Sequence, residues 1–123
     1  AGVALASLSH ADIVLLADGG VGHPPARAAA DAALRAVERA LRRADPPITP
    51  VDVCDALAEG HRAVRELARD VASAERLGAA CLVAVSTADG VFVSRVGRGT
   101  ALLVRDGVAE PVFQPTAADG AQP

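Results

Sequence analysis

The sequence predicts an α+β domain built on a mainly antiparallel sheet. Three observations predict it. One short apolar run near the N-terminus is stopped by glycines. Two long segments with helical periodicity follow it without an intervening strand. The remainder is a series of short apolar runs separated by Asp-Gly turns. Two consecutive helices followed by hairpins are not a βαβ array, so a parallel sheet is excluded.

Asp12 to Ala17 read DIVLLA and end at Asp18-Gly19-Gly20-Val21-Gly22, the pattern of a buried strand. Pro24 and Pro25 stand where a helix can begin, since proline is tolerated in the first turn. From Ala26 to Arg43, Ala30, Leu34, Val37 and Leu41 share one face, and Asp45-Pro46-Pro47 ends the helix. Thr49 is the expected N-cap of a second helix, with Pro50 at its first position and Asp52 in the first turn. Val53, Leu57, Val64, Leu67 and Val71 line its apolar face through to Arg76, Gly60 weakens its middle, and Leu77-Gly78 stops it. ACLVAVST reads as a central, fully buried strand, and Asp89-Gly90 as a hairpin turn. VFVSRV, a Gly97-Arg98-Gly99 connection, TALLVR, a second Asp-Gly turn and VAEPVF complete a four-strand meander, with Pro111 placing the last strand at an edge. Residues 1–113 form one domain, and 114–123 have the composition of a flexible tail.

Composition narrows the function. The 123 residues carry 12 Arg and no Lys against 15 Asp and Glu, a net charge of -3, and only 2% are aromatic. That excludes nucleic acid as a partner, because neither a basic patch nor stacking platforms are present. No apolar run reaches the ~20 residues of a membrane helix. His10 and Asp12 interrupt the apolar start, which does not read as a signal peptide. Cys54 and Cys81 make no disulfide framework; Cys81 lies in an apolar run and reads as core. The cytoplasm is the expected location.

Two stretches could carry chemistry. Asp18-Gly19-Gly20-Val21-Gly22-His23 could cradle a phosphate at a helix start, or bind a hard cation through Asp18 and a backbone carbonyl. It could also be a turn whose glycines only relax the backbone, the reading that spacing alone favours. Gly97 to Leu103 reads, on its own, as a tight turn between strands. His10, His23 and His61 lack zinc spacing. Ser86, Thr87, Ser94 and Thr100 fall in strands outside any nucleophile elbow. Asp55, Glu59, Arg62, Arg65, Glu66 and Arg69 interleave as a solvated helix face.

Together these pieces resemble a known family. Ala17 to Leu41 is similar to the A-D-G-M-G-G-H segment and following helix of the type 2C metal-dependent serine/threonine protein phosphatases, the PPM family. Leu77 to Val112 resembles its M-G-T-T-L segment and the G-D-S-R-A-Y-L-l-R-D-G hairpins. The resemblance implies two antiparallel sheets packed as a sandwich with helices outside, and hydrolysis of phosphoserine or phosphothreonine by a water activated between two Mn²⁺ or Mg²⁺ ions. It implies that Asp18 matches the metal-bridging Asp and Gly19 the glycine whose carbonyl ligates metal.

The departures from the family's pattern are larger than the matches. No R-x-x-N-E-D motif precedes Asp18, where the upstream acid is Asp12 in the strand. Arg98 stands where the motif has Asp, Gly99 where it has Ser, and Thr100 where it has Arg. The Thr pair is Ala79-Ala80, and the C-terminal D-G and D-N motifs would fall beyond Pro123. The resemblance therefore implies a truncated, degenerate domain. Asp18 and Gly19 are a vestigial metal site holding at most one weakly bound ion. No catalytic or phosphate-binding residue, and no cofactor, is expected. Mn²⁺ or Mg²⁺ enters only if missing ligands come from another segment or chain. The expected role is a pseudophosphatase acting in protein interaction or regulation. Its sheet would join it to a protein partner or to a second copy as a homodimer, with neither nucleic acid nor membrane involved.

Overall fold

The apolar run anticipated at Asp12–Ala17 is strand β2, Ala11–Asp18, and its side chains alternate buried and exposed along the whole length. In the computed structural model, which describes residues 2–19, 24–69 and 78–113, β2 is one of four antiparallel strands. The others are β1 (Gly2–Ser7), β3 (Ala80–Thr87) and β4 (Gly90–Val96), in the order β1-β2-β3-β4. Strands β5 (Leu102–Arg105) and β6 (Val108–Pro111) pair only with each other.

Two expectations need correction here. The N-terminal residues form a strand that the reading did not assign: Gly2 pairs with Ala17 and Ser7 with Asp12. The strand was obscured because its inward residues, Ala4 and Ala6, are too small to stand out as a buried set. The strands after the helices are also not one meander. β3 and β4 join β1 and β2, while β5 and β6 stand apart as a hairpin. Thr100 lies before β5, not in it.

Helices α1 (Pro24–Arg43) and α2 (Pro50–Arg69) cover one face of the sheet. Ala30, Leu34, Val37 and Leu41 are buried on α1, Val53, Ala56 and Val64 on α2, and Leu57 and Leu67 pack against them half-buried. They meet Ile13, Leu15, Cys81, Val83 and Val85 of the sheet in one core. Thr49 caps α2 as its residue type predicts. Its Oγ1 accepts from the Asp52 N–H (3.3 Å), and Asp52 Oδ2 accepts from the Thr49 N–H (2.8 Å). The two side chains thus satisfy two otherwise orphaned donors. Gly60 has a packing role that its helix-weakening effect hid. A Cβ there would lie 2.9 Å from Val37 Cγ2, so glycine permits the close approach of α2 to α1. The stretch expected to extend α2 to Arg76, with Val71 and Leu77, lies outside the described residues, as do His23 and the tail.

The opposite sheet face is uncovered over β1 and part of β2, while Leu82 of β3 is buried on it. Register places Val3 and Leu5 beside Leu16 and Val14, and these beside Leu82 and Ala84, with Val93 beyond Ala84. Val3 is 64% and Leu5 72% exposed. β3 is central as expected, with Val83 and Val85 buried on its helix side and, on the opposite face, Leu82 buried and Ala84 half-buried.

Candidate functional site

The two chemistry-bearing stretches, far apart in sequence, meet at one end of the sheet. Asp18 is the last residue of β2 and pairs with Ala80, the first pair of β3. Cys81 pairs with Val96, which ends β4 and leads into Gly97-Arg98-Gly99-Thr100. Antiparallel pairing brings the end of β2, the start of β3 and the end of β4 to the same edge. There they line an open cleft of about 260 Å³ with Asp18 and Arg98 on its wall, Thr100 beside them, and Val3, Leu16 and Leu82 as its apolar part. Asp18, Arg98 and Thr100 are all exposed.

Gly19 follows directly. A Cβ on it would come within 2.0 Å of the Ala26 carbonyl oxygen, so the first turn of α1 leaves room only for glycine. Its residue type is therefore required by helix–strand contact, independently of any ligand. Gly97 (φ 79°) lies against Ala80, whose Cβ would be 3.2 Å from one built on Gly97. That contact seats the Arg98 loop on the start of β3.

The other candidates do not converge. His10 sits between β1 and β2, its Nδ1 3.3 Å from Ser9 Oγ and its buried Nε2 with no partner among the described residues. His61 and Arg65 lie at a separate apolar cavity of about 270 Å³ under α1 and α2, which Cys81 also lines. Burial pushes the Cys81 thiol above its ordinary value, consistent with its core position, whereas Cys54 is exposed. Glu59 accepts from Arg62 at 2.7 Å on the exposed face of α2, as the charge spacing predicts. Among the described residues no three His, Cys, Asp or Glu side chains group as a metal site.

The metal pair implied by the resemblance does not fit the cleft. Hard cations take six or more oxygen ligands, with carboxylates to offset their charge. Among the described residues the lining provides one carboxylate, Asp18, and also carries the cationic Arg98. What sequence reasoning missed is the contribution of Gly2 and Val3, which line the cleft only because β1 pairs with β2.

No protein-family model and no curated protein matches the chain. Solved structures do. The chain is similar to a stage II sporulation E family protein from Thermanaerovibrio acidaminovorans, with TM-score 0.70 and 25% identity over 90% of this chain and 52% of that one. It is similar to the serine/threonine phosphatase PstP/Ppp of Mycobacterium tuberculosis, with TM-score 0.70 and 15% identity over 91% and 47%. It is also similar to the PPM Ser-Thr phosphatase MsPP of Mycobacterium smegmatis, with TM-score 0.67 and 18% identity over 90% and 45%. The fold is PPM phosphatase-like. The α+β class and antiparallel sheet expected from the sequence are those of this PPM-like fold, and the chain spans about half the length of the structures it matches. Among the described residues, no helix of the PPM-like chain is long and apolar enough to cross a membrane.

Proposed function

We propose that this chain is a non-catalytic PPM-like module that works by binding protein through the bare face of its sheet, in the simplest case a second copy of itself. The observation that carries the reading is the row of Val3, Leu5, Val14 and Leu16, exposed side by side on paired strands. Fully burying a Val or Leu side chain is worth about 1.5–3 kcal/mol, so covering Val3 and Leu5 would gain most of that each and Val14 and Leu16 a smaller share, which favours a partner on this face. A two-fold dimer is the simplest way to cover a sheet face with an identical one. Among the described residues the cleft carries one carboxylate, Asp18, which supports the non-catalytic part. A two-metal centre clamps both the attacking and the leaving oxygen, and one Asp does not hold two ions.

A second reading has its own support. Because the chain spans about half of the matched structures, further ligands could be contributed by additional chain or by a partner. In that case it is part of a metal-dependent phosphoserine/phosphothreonine phosphatase. Two measurements separate the readings. Light scattering coupled to gel filtration at micromolar concentration is expected to give a dimer mass, and Leu16→Glu a monomer. A soluble monomeric wild type would overturn the interaction reading. Turnover of a phosphothreonine peptide with Mn²⁺ is expected to stay at the buffer rate. Activity that Asp18→Ala abolishes would establish the enzyme instead.

A further inference from the structure

We propose that the β5–β6 hairpin of a second copy covers the open strip of the sheet, each copy of a two-fold pair seating its hairpin on the strip of the other. The inference rests on the protein-binding reading above and names the element that binds. The strip is Val3, Leu5, Val14 and Leu16 on the paired strands β1 and β2, between Asp12 and Asp18 at its two ends. The hairpin is rooted on the same side of the sheet. Leu82 is the register partner of both Leu16 and Arg95, so all three stand on the face that carries the strip. Gly99 lies against Leu82 there. Arg95 donates to the Gly99 carbonyl and stands 4.6 Å from the Phe113 ring centroid, so it holds both the entry and the exit of the hairpin. Beyond this root, β5 and β6 are exposed along their whole length. Their two faces differ. Leu102, Val104, Ala109 and Pro111 make one face wholly apolar, whereas Arg105 and Glu110 share the other with Leu103 and Val108. A two-stranded hairpin is only marginally stable alone and needs its apolar face packed. Strip and hairpin face match in form: each is two antiparallel strands with two apolar side chains per strand at alternate positions. A Val or Leu side chain carries about 60–120 Å² of apolar surface, so the exposed parts of these eight side chains bury on the order of 400 Å² when the two surfaces meet. One seating falls short of the roughly 1,000 Å² that a specific interface clears, whereas two reciprocal seatings, with the backbone around them, reach it. Area therefore favours the closed two-fold exchange over a single insertion.

Two measurements on the full chain test the exchange. Light scattering coupled to gel filtration compares the wild type with Leu5→Glu on the strip, Val104→Glu on the apolar hairpin face and Arg105→Glu on the other hairpin face. Circular dichroism checks folding in each. Val104→Glu is expected to raise the dimer dissociation constant at least about tenfold, as Leu5→Glu does, and Arg105→Glu to leave it within about twofold. For the second measurement, Leu5→Cys and Val104→Cys are made as separate proteins in a Cys54→Ser background, which removes the exposed thiol. They are mixed and treated with a short bismaleimide. The expected product joins the Leu5 site of one copy to the Val104 site of the other, identified by peptide mass spectrometry. If Val104→Glu unravels the hairpin, the cross-link decides. A dimer that Leu5→Glu disrupts and Val104→Glu leaves intact, or one cross-linked between the two Leu5 sites, would overturn the exchange and keep the protein-binding reading. A wild type that is monomeric at micromolar concentration would overturn both.

Discussion

Gly60→Ala sets two effects of known size against each other. In an isolated helix the change stabilises by about 1 kcal/mol, because alanine loses less backbone entropy than glycine. In this protein the new methyl would stand 2.9 Å from Val37 Cγ2, where ordinary contact begins at 3.4 Å. Val37 is fully buried, and a β-branched side chain in a helix has essentially one χ1 rotamer, so it cannot swing aside. The helices must separate by a few tenths of an ångström or Val37 must strain, and overpacking of this kind costs about 1–3 kcal/mol. The net expectation is a loss of about 1 kcal/mol, near 4 °C in Tm for a domain of this size. Chemical denaturation measures it, and a double-mutant cycle tests the cause. Val37→Ala alone costs about 2 kcal/mol through the cavity it leaves. In that background Gly60→Ala has room and should stabilise, giving a coupling of about 2 kcal/mol between the two sites. A wild-type background in which Gly60→Ala gains the full helix-propensity benefit would refute the close α1–α2 approach.

Three further outcomes follow from the geometry. Asp52→Ala removes the acceptor of the Thr49 N–H and should cost about 1 kcal/mol by urea denaturation, with Asp52→Glu retaining most of the stability. Burial raises the Cys81 thiol above its ordinary 9.0, so the folded state holds this proton to higher pH than the unfolded chain. Stability should therefore be unaffected by this group below about pH 9 and fall as pH rises towards the folded value, and Cys81→Ala should remove that alkaline component. Arg95 donates to the Gly99 carbonyl and lies 4.6 Å from the Phe113 ring centroid, joining the two legs of the β5–β6 hairpin. Arg95→Ala should increase amide exchange in β5 and β6 well before it alters exchange in the main sheet.

Much of the fold was legible because it rests on local chemistry. The prolines and Thr49 announce the helix starts, and their apolar stripes are the faces that pack. The Asp106-Gly107 turn, with both residues at positive φ, forms the type I′ hairpin that this dipeptide favours. β1 was not legible, because alternation between Val or Leu and Ala does not reveal which side is inward when both sides are apolar. The candidate site was legible residue by residue but not as a site. Asp18 and the Gly97–Thr100 stretch each admitted a plain turn reading, and nothing in their own spacing says that they share a cleft.

The sequence by itself determined both helices, strands β2 to β6, their order and the Thr49 cap of α2, since these depend on neighbours within a turn or two along the chain. Only the tertiary structure decided that β1 completes the sheet and that Val3 and Leu5 are left exposed on one of its faces. It alone showed that Gly19 and Gly60 are glycines because other backbone and side chains press against them, and that Arg98 faces the cleft of Asp18. Those outcomes depend on strand register and helix separation. Both are set by which distant surfaces bury best against each other, and periodicity along the chain does not record that.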